Sequence, residues 1–468
     1  MSESAAGFKL SKTGIIYLVA VLAALVLAFT GTKDGEGVHI VGGYPFAFVI
    51  FVLILLGVAF FHHYTMYVAL AGVVVVTAYT GLFCPDFTWS PDQALHSGKG
   101  LLNHFFYEGE ETLLNLGALL LGFALLAKFF EHSGVPDNLP RLLPKSKLWS
   151  GFGLLAIVWF ISSFLDNIAA AMIGGVIAKT AYKGRVTVGF VAAIVAASNA
   201  GGAWSVLGDT TTTMMWLDGV NPFDVMHGFV ASAVGLLIVG IVASIHQNRV
   251  QSMEFDALAV RKPIDYVQLL IVVMILAGAV TANTLFNGAW HGFFAGGPWY
   301  GVWAAILVGA LLRKPAWGEL PGAAKGAAFL LSLVWCASLM PVKALPPASW
   351  QTAFGLGFVS AVFDNIPLTK LALEQGGYDW GALAFTVGFG GSMIWFGSSA
   401  GVAISKDFPE ARNTGRYIKE GWPVAVAYVV AFFVFLGVMG FHPHPPHKAG
   451  LVEAPVTAPV EPAPAGMK

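Results

Sequence analysis

Two Asp-Asn pairs, Asp166-Asn167 and Asp364-Asn365, lie inside apolar stretches of a chain with few charges. The first belongs to SSFLDNIAAAMIGG, from Ser162, and the second to SAVFDNIPLTK, from Ser360. Both contain S-x-x-x-D-N-I. An ionised carboxylate in hydrocarbon is costly and needs a partner, a cation or a proton. A deprotonated Asp surrounded by Asn, Ser and backbone carbonyl oxygens is a hard-oxygen cage suited to a small cation. Once protonated, the same Asp no longer needs the cation, so Na⁺ and H⁺ compete for one group. The competing reading of Asp-Asn is a helix cap, and one residue can hold both roles.

Each pair has a glycine-rich partner downstream. ASNAGGAWSVLGDTTTTMMW starts at Ala197 and GFGGSMIWFGSSAGVAIS at Gly388. GGAWSVLGDT (201–210) aligns without a gap to GGSMIWFGSS (390–399), so Gly201, Gly202 and Gly208 match Gly390, Gly391 and Gly397, and Asp209 matches Ser398. Paired glycines in an apolar run are poor helix formers. They predict an unwound stretch whose freed carbonyls face an ion. Ser198, Asn199, Thr210 to Thr213, Ser392, Ser398 and Ser399 add oxygens beside the breaks, although a hydroxyl in a span can also bond its own helix. From Asp166 to Gly201 is 35 residues and from Asp364 to Gly390 is 26; the difference fits the basic loop from Lys179 to Arg185.

The elements that position these residues must be membrane spans. Of 468 residues, 57% are hydrophobic and 11% charged, against roughly 25% charged in a soluble chain. Mean hydropathy is +0.73. Apolar runs fall at about 13–30, 44–61, 65–83, 112–130, 149–178, 187–207, 226–245, 264–286, 298–312, 326–341, 349–374, 381–405 and 421–441. Many reach the roughly 20 residues that cross a bilayer. The fold class is all-α, polytopic. The run at 13–30 lacks a small-residue cleavage site and reads as a retained first span. A net charge of -1 gives no reason to expect a nucleic-acid partner. No cofactor is called for; the partners are membrane lipid and a small inorganic cation.

Charge placement sets the topology. With the N-terminus inside, and with 149–178 and 349–374 each returning to the side it came from, 19 of the 25 basic residues fall in intracellular loops; Lys33, Lys99, Lys343, Lys370, Lys448 and Lys468 do not. That split fits the positive-inside rule. It predicts eleven spans, a cytoplasmic N-terminus, an extracytoplasmic C-terminus and two re-entrant segments. Charge alone does not separate hairpins from pairs of full spans, but length favours hairpins. About eleven residues follow Asn167 before Lys179, and four follow Asn365 before Lys370. Re-entrant backbone is tolerated where protein or a wet cavity surrounds it. The first hairpin then enters from inside and the second from outside, as an inverted repeat requires.

Other candidates are read more plainly. Lys370 is expected to snorkel to the interface, or else to counter a carboxylate or bind an anion. Glu131-His132 reads as an interfacial helix end and His62-His63 as a short loop. Glu108, Glu110 and Glu111 form a solvated external cluster. Cys84 and Cys336 suggest neither a metal site nor a disulfide. The Pro/Ala-rich stretch 442–468 is expected to be a disordered tail.

Over roughly 110–440, SNAGGAWSVLGDTTTTMMW with FLDNIAAA, and FDNIPL with GGSMIWFGSSAGVAIS, resemble the signature regions of NhaD-type sodium/proton antiporters. These share a superfamily with citrate transporters, divalent-anion/sodium symporters and arsenite permeases. The resemblance implies an elevator-type homodimer in a bacterial inner membrane. It implies that Asp166, Asn167, Asp364, Asn365, Asn199 and Asp209 contribute to the ion pathway. Carboxylate-importing relatives tend to have neutral Ser-Asn-Thr tips, whereas both tips here carry Asp. Residues 1–110 would be peripheral spans, 111–225 a first repeat (hairpin 149–178, broken span 187–216) and 226–312 linking spans. Residues 313–441 would be a second repeat with hairpin 349–374 and broken span 381–405. Expected function is Na⁺(Li⁺)/H⁺ antiport rather than enzymatic. Asp166, Asp209 and Asp364 are the Na⁺/Li⁺ ligand candidates, and Ser198, Thr210, Ser392, Ser398, Gly201, Gly202, Gly390 and Gly391 line the path. The alternative is a citrate or dicarboxylate carrier, motivated by Lys370 and the many hydroxyls.

Overall fold

The computed structural model describes residues 12–33, 39–41, 44–61, 64–83, 101, 104–105, 113–255, 262–287 and 297–444. His62-His63, the cluster Glu108, Glu110 and Glu111, Cys84 and residues 445–468 lie outside the described residues. Apolar runs in a bilayer must satisfy their backbone groups internally, and every predicted run contains helix. The N-terminal helices are α1 (Lys12–Thr30), α2 (Phe46–Phe60) and α3 (Thr65–Phe83). One departure from an all-α chain lies between α1 and α2. Thr32–Lys33, His39–Val41 and Tyr44–Pro45 form a small antiparallel sheet, with Ile40 opposite both Thr32 and Pro45. Strands this short show no alternation for a sequence reading to detect.

The next block holds α4 (Asn115–His132), α5 (Lys147–Ser162), α6 (Asn167–Ala181), α7 (Val188–Gly202), α8 (Thr210–Leu217) and α9 (Phe229–Val250). Then come α10 (Tyr266–Asn287) and α11 (Trp299–Ala310). The last block holds α12 (Leu320–Ser338), α13 (Trp350–Ser360), α14 (Asn365–Gln375), α15 (Trp380–Gly390), α16 (Ser399–Ile404) and α17 (Trp422–Met439). Among the described residues six helices are long and apolar enough to cross a membrane. The chain is a multi-pass membrane protein.

The two six-helix blocks run in the same order, and their short helices start from side-chain caps. Ser146 accepts from Trp149 N–H before α5, and Thr187 from Phe190 N–H before α7. Before α13, Ser349 and Thr352 form a reciprocal capping box, and before α15 Asp379 accepts from Ala382 N–H. Such caps satisfy N–H groups that a helix start leaves orphaned.

Helices α7 and α15 are buried almost end to end and pack against each other. Around them, α5, α6 and α9 pack on α7, while α13, α14 and α17 pack on α15. The blocks also exchange contacts: α6 packs on α16, and α14 packs on α8. On the periphery, α2, α3 and α12 share a second hydrophobic cluster. Trp335 Nε1 on α12 donates to Thr77 Oγ1 on α3 at 2.8 Å.

Candidate functional site

Four residues singled out from sequence each stand immediately before a helix. Asp166 precedes α6, Asp364 precedes α14, Asp209 precedes α8 and Ser398 precedes α16. Their backbones match in pairs. Asp166 and Asp364 have φ/ψ of -49°/139° and -54°/141°. Asp209 and Ser398 have -143°/148° and -141°/152°. The two helical pairs thus turn alike, and so do the two breaks.

The serine of S-x-x-x-D-N-I fixes each turn against its broken helix. Ser162 Oγ donates to Ser198 O at 2.6 Å, and Ser360 Oγ donates to Val387 O at 2.6 Å. Ser198 and Val387 each stand three residues before the paired glycines. The glycines explain why the contact can be so close. A Cβ on Gly201 would collide with the Trp159 carbonyl, and one on Gly390 with the Gly357 carbonyl. Likewise Gly202 lies against the Gly208 carbonyl and Gly391 against that of Gly397, each 2.7 Å from where a Cβ would stand.

The glycines therefore also have a packing role. They end α7 and α15 and let backbone meet backbone; residues 203–209 and 391–398 form the breaks. Carbonyls of the first break, that of Asp209 among them, are already taken. Thr212 Oγ1 donates to Ser205 O at 2.7 Å and Thr213 Oγ1 to Val206 O at 2.8 Å. These two threonines close the break. Ser198 Oγ donates to Val195 O of its own helix at 2.9 Å, and Ser398 Oγ caps α16 by accepting from Gly401 N–H.

Side chains from both blocks meet between the breaks. Asn167 Nδ2 donates to Asn199 Oδ1 at 3.1 Å, and Asn199 Nδ2 donates to Ser392 Oγ at 2.9 Å. Asn365 Nδ2 donates to Asp209 Oδ2 at 3.2 Å. Ser399 Oγ donates to Asp364 Oδ2 at 3.2 Å. Asn199 and Ser392 are fully buried and Asp209 is 3% exposed, whereas Asp166 and Asp364 are half-buried. Thr210 is also half-buried at the start of α8. Among the described residues no basic side chain pairs with any of the three carboxylates.

Charge balance follows from this arrangement. A helix N-terminus carries roughly +0.5 charge, so α6, α8 and α14 contribute about +1.5 against three ionised Asp caps. When all three are deprotonated the cluster stays net negative. It can attract a cation, and its amide and hydroxyl oxygens suit a hard one.

Lys370 departs from the snorkelling expectation. It is fully buried on α14 and paired with Glu374 Oε1 at 2.6 Å, one turn further along. A buried cation requires such compensation. The i,i+4 spacing of Lys370 and Glu374 was legible in the sequence; the burial of Lys370 was not. Cys336 is buried with a free thiol. Glu131 and His132 are exposed at the end of α4, where Glu131 pairs with Lys128. Beyond the spans, the hydrogen bond from Arg313 holds the Asp265 carboxyl below the usual carboxylate range.

The residues that sequence reading left without a role are Ser162, Ser360 and Glu374. Both serines were visible as part of the repeated motif, but their acceptors lie 36 and 27 residues away.

No family model matches the chain. It is 29% identical to sodium/proton antiporter 1 of Arabidopsis thaliana over 344 residues, covering 64% of this chain and 55% of that relative. It is 25% identical to the Na⁺/H⁺ antiporter NhaD of Vibrio cholerae over 394 residues, covering 70% and 79%. With the NhaD of Alkalimonas amylolytica it shares 26% over 377 residues, covering 69% and 78%. The chain therefore spans about half the length of the plant relative and more than three quarters of the two bacterial ones. The resemblance to NhaD-type sodium/proton antiporters carried by the Asp-Asn and Gly-Asp-Thr motifs extends over 64–70% of the chain in these three comparisons.

Proposed function

We propose that this protein is a secondary transporter that exchanges Na⁺ or Li⁺ for H⁺ across a bacterial inner membrane by alternating access. The observation that carries the reading is the cluster of three helix starts with Asp at the N-cap position, net negative and supplied with amide and hydroxyl oxygens. The same carboxylates hold either a cation or protons, which makes exchange at one site natural. The names of the similar proteins support it. Lys370 is committed to Glu374 and offers no anion clamp, so the citrate or dicarboxylate reading is not favoured.

The finer architecture we infer is an inverted repeat with two re-entrant hairpins, α5–α6 and α13–α14. Helix α14 has 11 residues, a length of about 16 Å against a hydrocarbon core of about 30 Å. Such a helix reaches the middle of the membrane and stops. The positive-inside count supports a cytoplasmic N-terminus and an extracytoplasmic C-terminus, with eleven spans. An elevator movement of the hairpins and broken helices against the peripheral and linking helices, within a homodimer, completes the reading.

The test uses everted membrane vesicles holding a preformed pH gradient. Addition of Na⁺ or Li⁺ should dissipate it, and choline should not. Absence of any response from pH 6 to 9, an interval of about one unit or more on either side of neutrality, would overturn antiport. Labelled citrate uptake into proteoliposomes would favour the carrier alternative.

A further inference from the structure

The two blocks hold their matching carboxylates differently. Asp364 accepts Ile366 N–H on Oδ1 at 3.1 Å and the Ser399 hydroxyl on Oδ2 at 3.2 Å. Asp166 has the same backbone conformation but takes no side-chain hydrogen bond among the described residues; it faces the N–H groups of Asn167 and Ile168. The position matching Ser399 in the first block is Thr210, and its hydroxyl makes no bond to Asp166. The latch present in the second block is therefore open in the first.

A second observation lies at the same place. Thr211 is fully buried, and its hydroxyl makes no hydrogen bond among the described residues. The Thr211 N–H donates to Asp209 Oδ1 at 3.3 Å. Buried hydroxyls normally find a partner. No buried hydroxyl near the second break lacks one among the described residues. The first block thus presents two carboxylates, those of Asp166 and Asp209, and an orphaned oxygen.

Resting on the antiport reading, we propose that the exchanged cation loads in the first block, on Asp166 and Asp209 with the Thr211 hydroxyl as a further ligand, while Asp364 stays latched by Ser399. Loading there displaces no side-chain donor from Asp166. The ionised Asp209 oxygens keep lone pairs beyond those given to Thr211 N–H and Asn365. Since Asn365 belongs to the second tip, occupancy in the first block is felt directly at the second. The two otherwise similar blocks thus divide the work, one binding and one responding.

The experiment measures thermal stabilisation of the purified full-length protein by Na⁺ and Li⁺, with choline chloride at matched ionic strength. Wild type should be stabilised with a definable half-saturating concentration. Asp166→Asn should raise that concentration at least about tenfold, the loss of one charge-assisted contact. Thr211→Val should raise it and Thr211→Ser restore it, while Ser399→Ala and Asp364→Asn should each raise it several-fold less than Asp166→Asn does. Melting in choline alone reports whether each variant is folded, and the Thr211 pair keeps the question open to refutation if Asp166→Asn is not. Equal weakening by Asp364→Asn and Asp166→Asn, or wild-type binding by Asp166→Asn, overturns the division of labour. If wild type itself responds no differently to Na⁺, Li⁺ and choline, the antiport reading falls with it.

Discussion

Asn365, the first residue of α14, donates to Asp209, the cap of α8 in the other block, across 3.2 Å. This bond joins the second helical pair to the first break. Its acceptor is a buried carboxylate, and a hydrogen bond to a charged group contributes about 1.5–3 kcal/mol. Asn365→Ala is expected to slow Na⁺-driven proton movement in everted vesicles by about tenfold or more, with the protein still present in the membrane. Wild-type rates in that variant would show that the two blocks are not coupled through Asp209.

The matched bonds of Ser162 and Ser360 predict matched losses. Each serine satisfies a buried carbonyl, and leaving such a group unpaired costs about 1–3 kcal/mol. Ser162→Ala and Ser360→Ala should each lower the melting temperature of the purified protein by a similar amount. A loss confined to one of them would break the equivalence of the two turns.

Glycine substitutions separate close approach from helix propensity. Gly201→Ala and Gly390→Ala drive a methyl group into the Trp159 and Gly357 carbonyls, an overpacking that costs about 1–3 kcal/mol. By contrast, a Cβ on Gly326 in α12 or Gly355 in α13 meets open space. There alanine should be neutral, or stabilising by up to about 1 kcal/mol. Thermal melts of the four variants check the contrast, and equal destabilisation of all four would refute it.

At the membrane edge, the Asp265 pair with Arg313 sets a pH dependence of known sign. The folded carboxyl titrates below its unfolded value because Arg313 bonds its charged form. Its contribution is therefore present above the unfolded value of about 3.9 and is lost as pH falls through the lower folded value. Between pH 7 and 5 the melting-temperature difference between wild type and Arg313→Ala should stay constant. It should shrink only under more acidic conditions. The pair is exposed, so the difference itself should be small, and a difference that vanishes already at pH 5 would contradict the pairing.

Much of this protein was legible from the sequence for a simple reason. In a bilayer an apolar run must be helical, so composition placed the helices to within a few residues. Glycine pairs are poor helix formers, so the breaks at 203–209 and 391–398 were visible. The Asp and Asn of both turns were visible because charge inside apolar runs demands a reason. Seven residues of sheet between α1 and α2 were not, because strands of two or three residues carry no period.

The tertiary structure decided how these pieces are used. It added to Gly201 and Gly390 the role of places where two backbones touch, because the space a side chain would need is taken by α5 against α7 and by α13 against α15. Thr212 and Thr213 became the closure of a break, since their acceptors lie on the preceding loop. Burial of Lys370 was decided by the packing of α14, because spacing along a helix gives its pair with Glu374 but not its surroundings. Most of all, sequence presented Asp166 and Asp364 as equals. Their difference arises from one hydroxyl, Ser399, reaching Asp364 across the fold while its counterpart Thr210 does not reach Asp166, and such a distance exists only once the helices have packed.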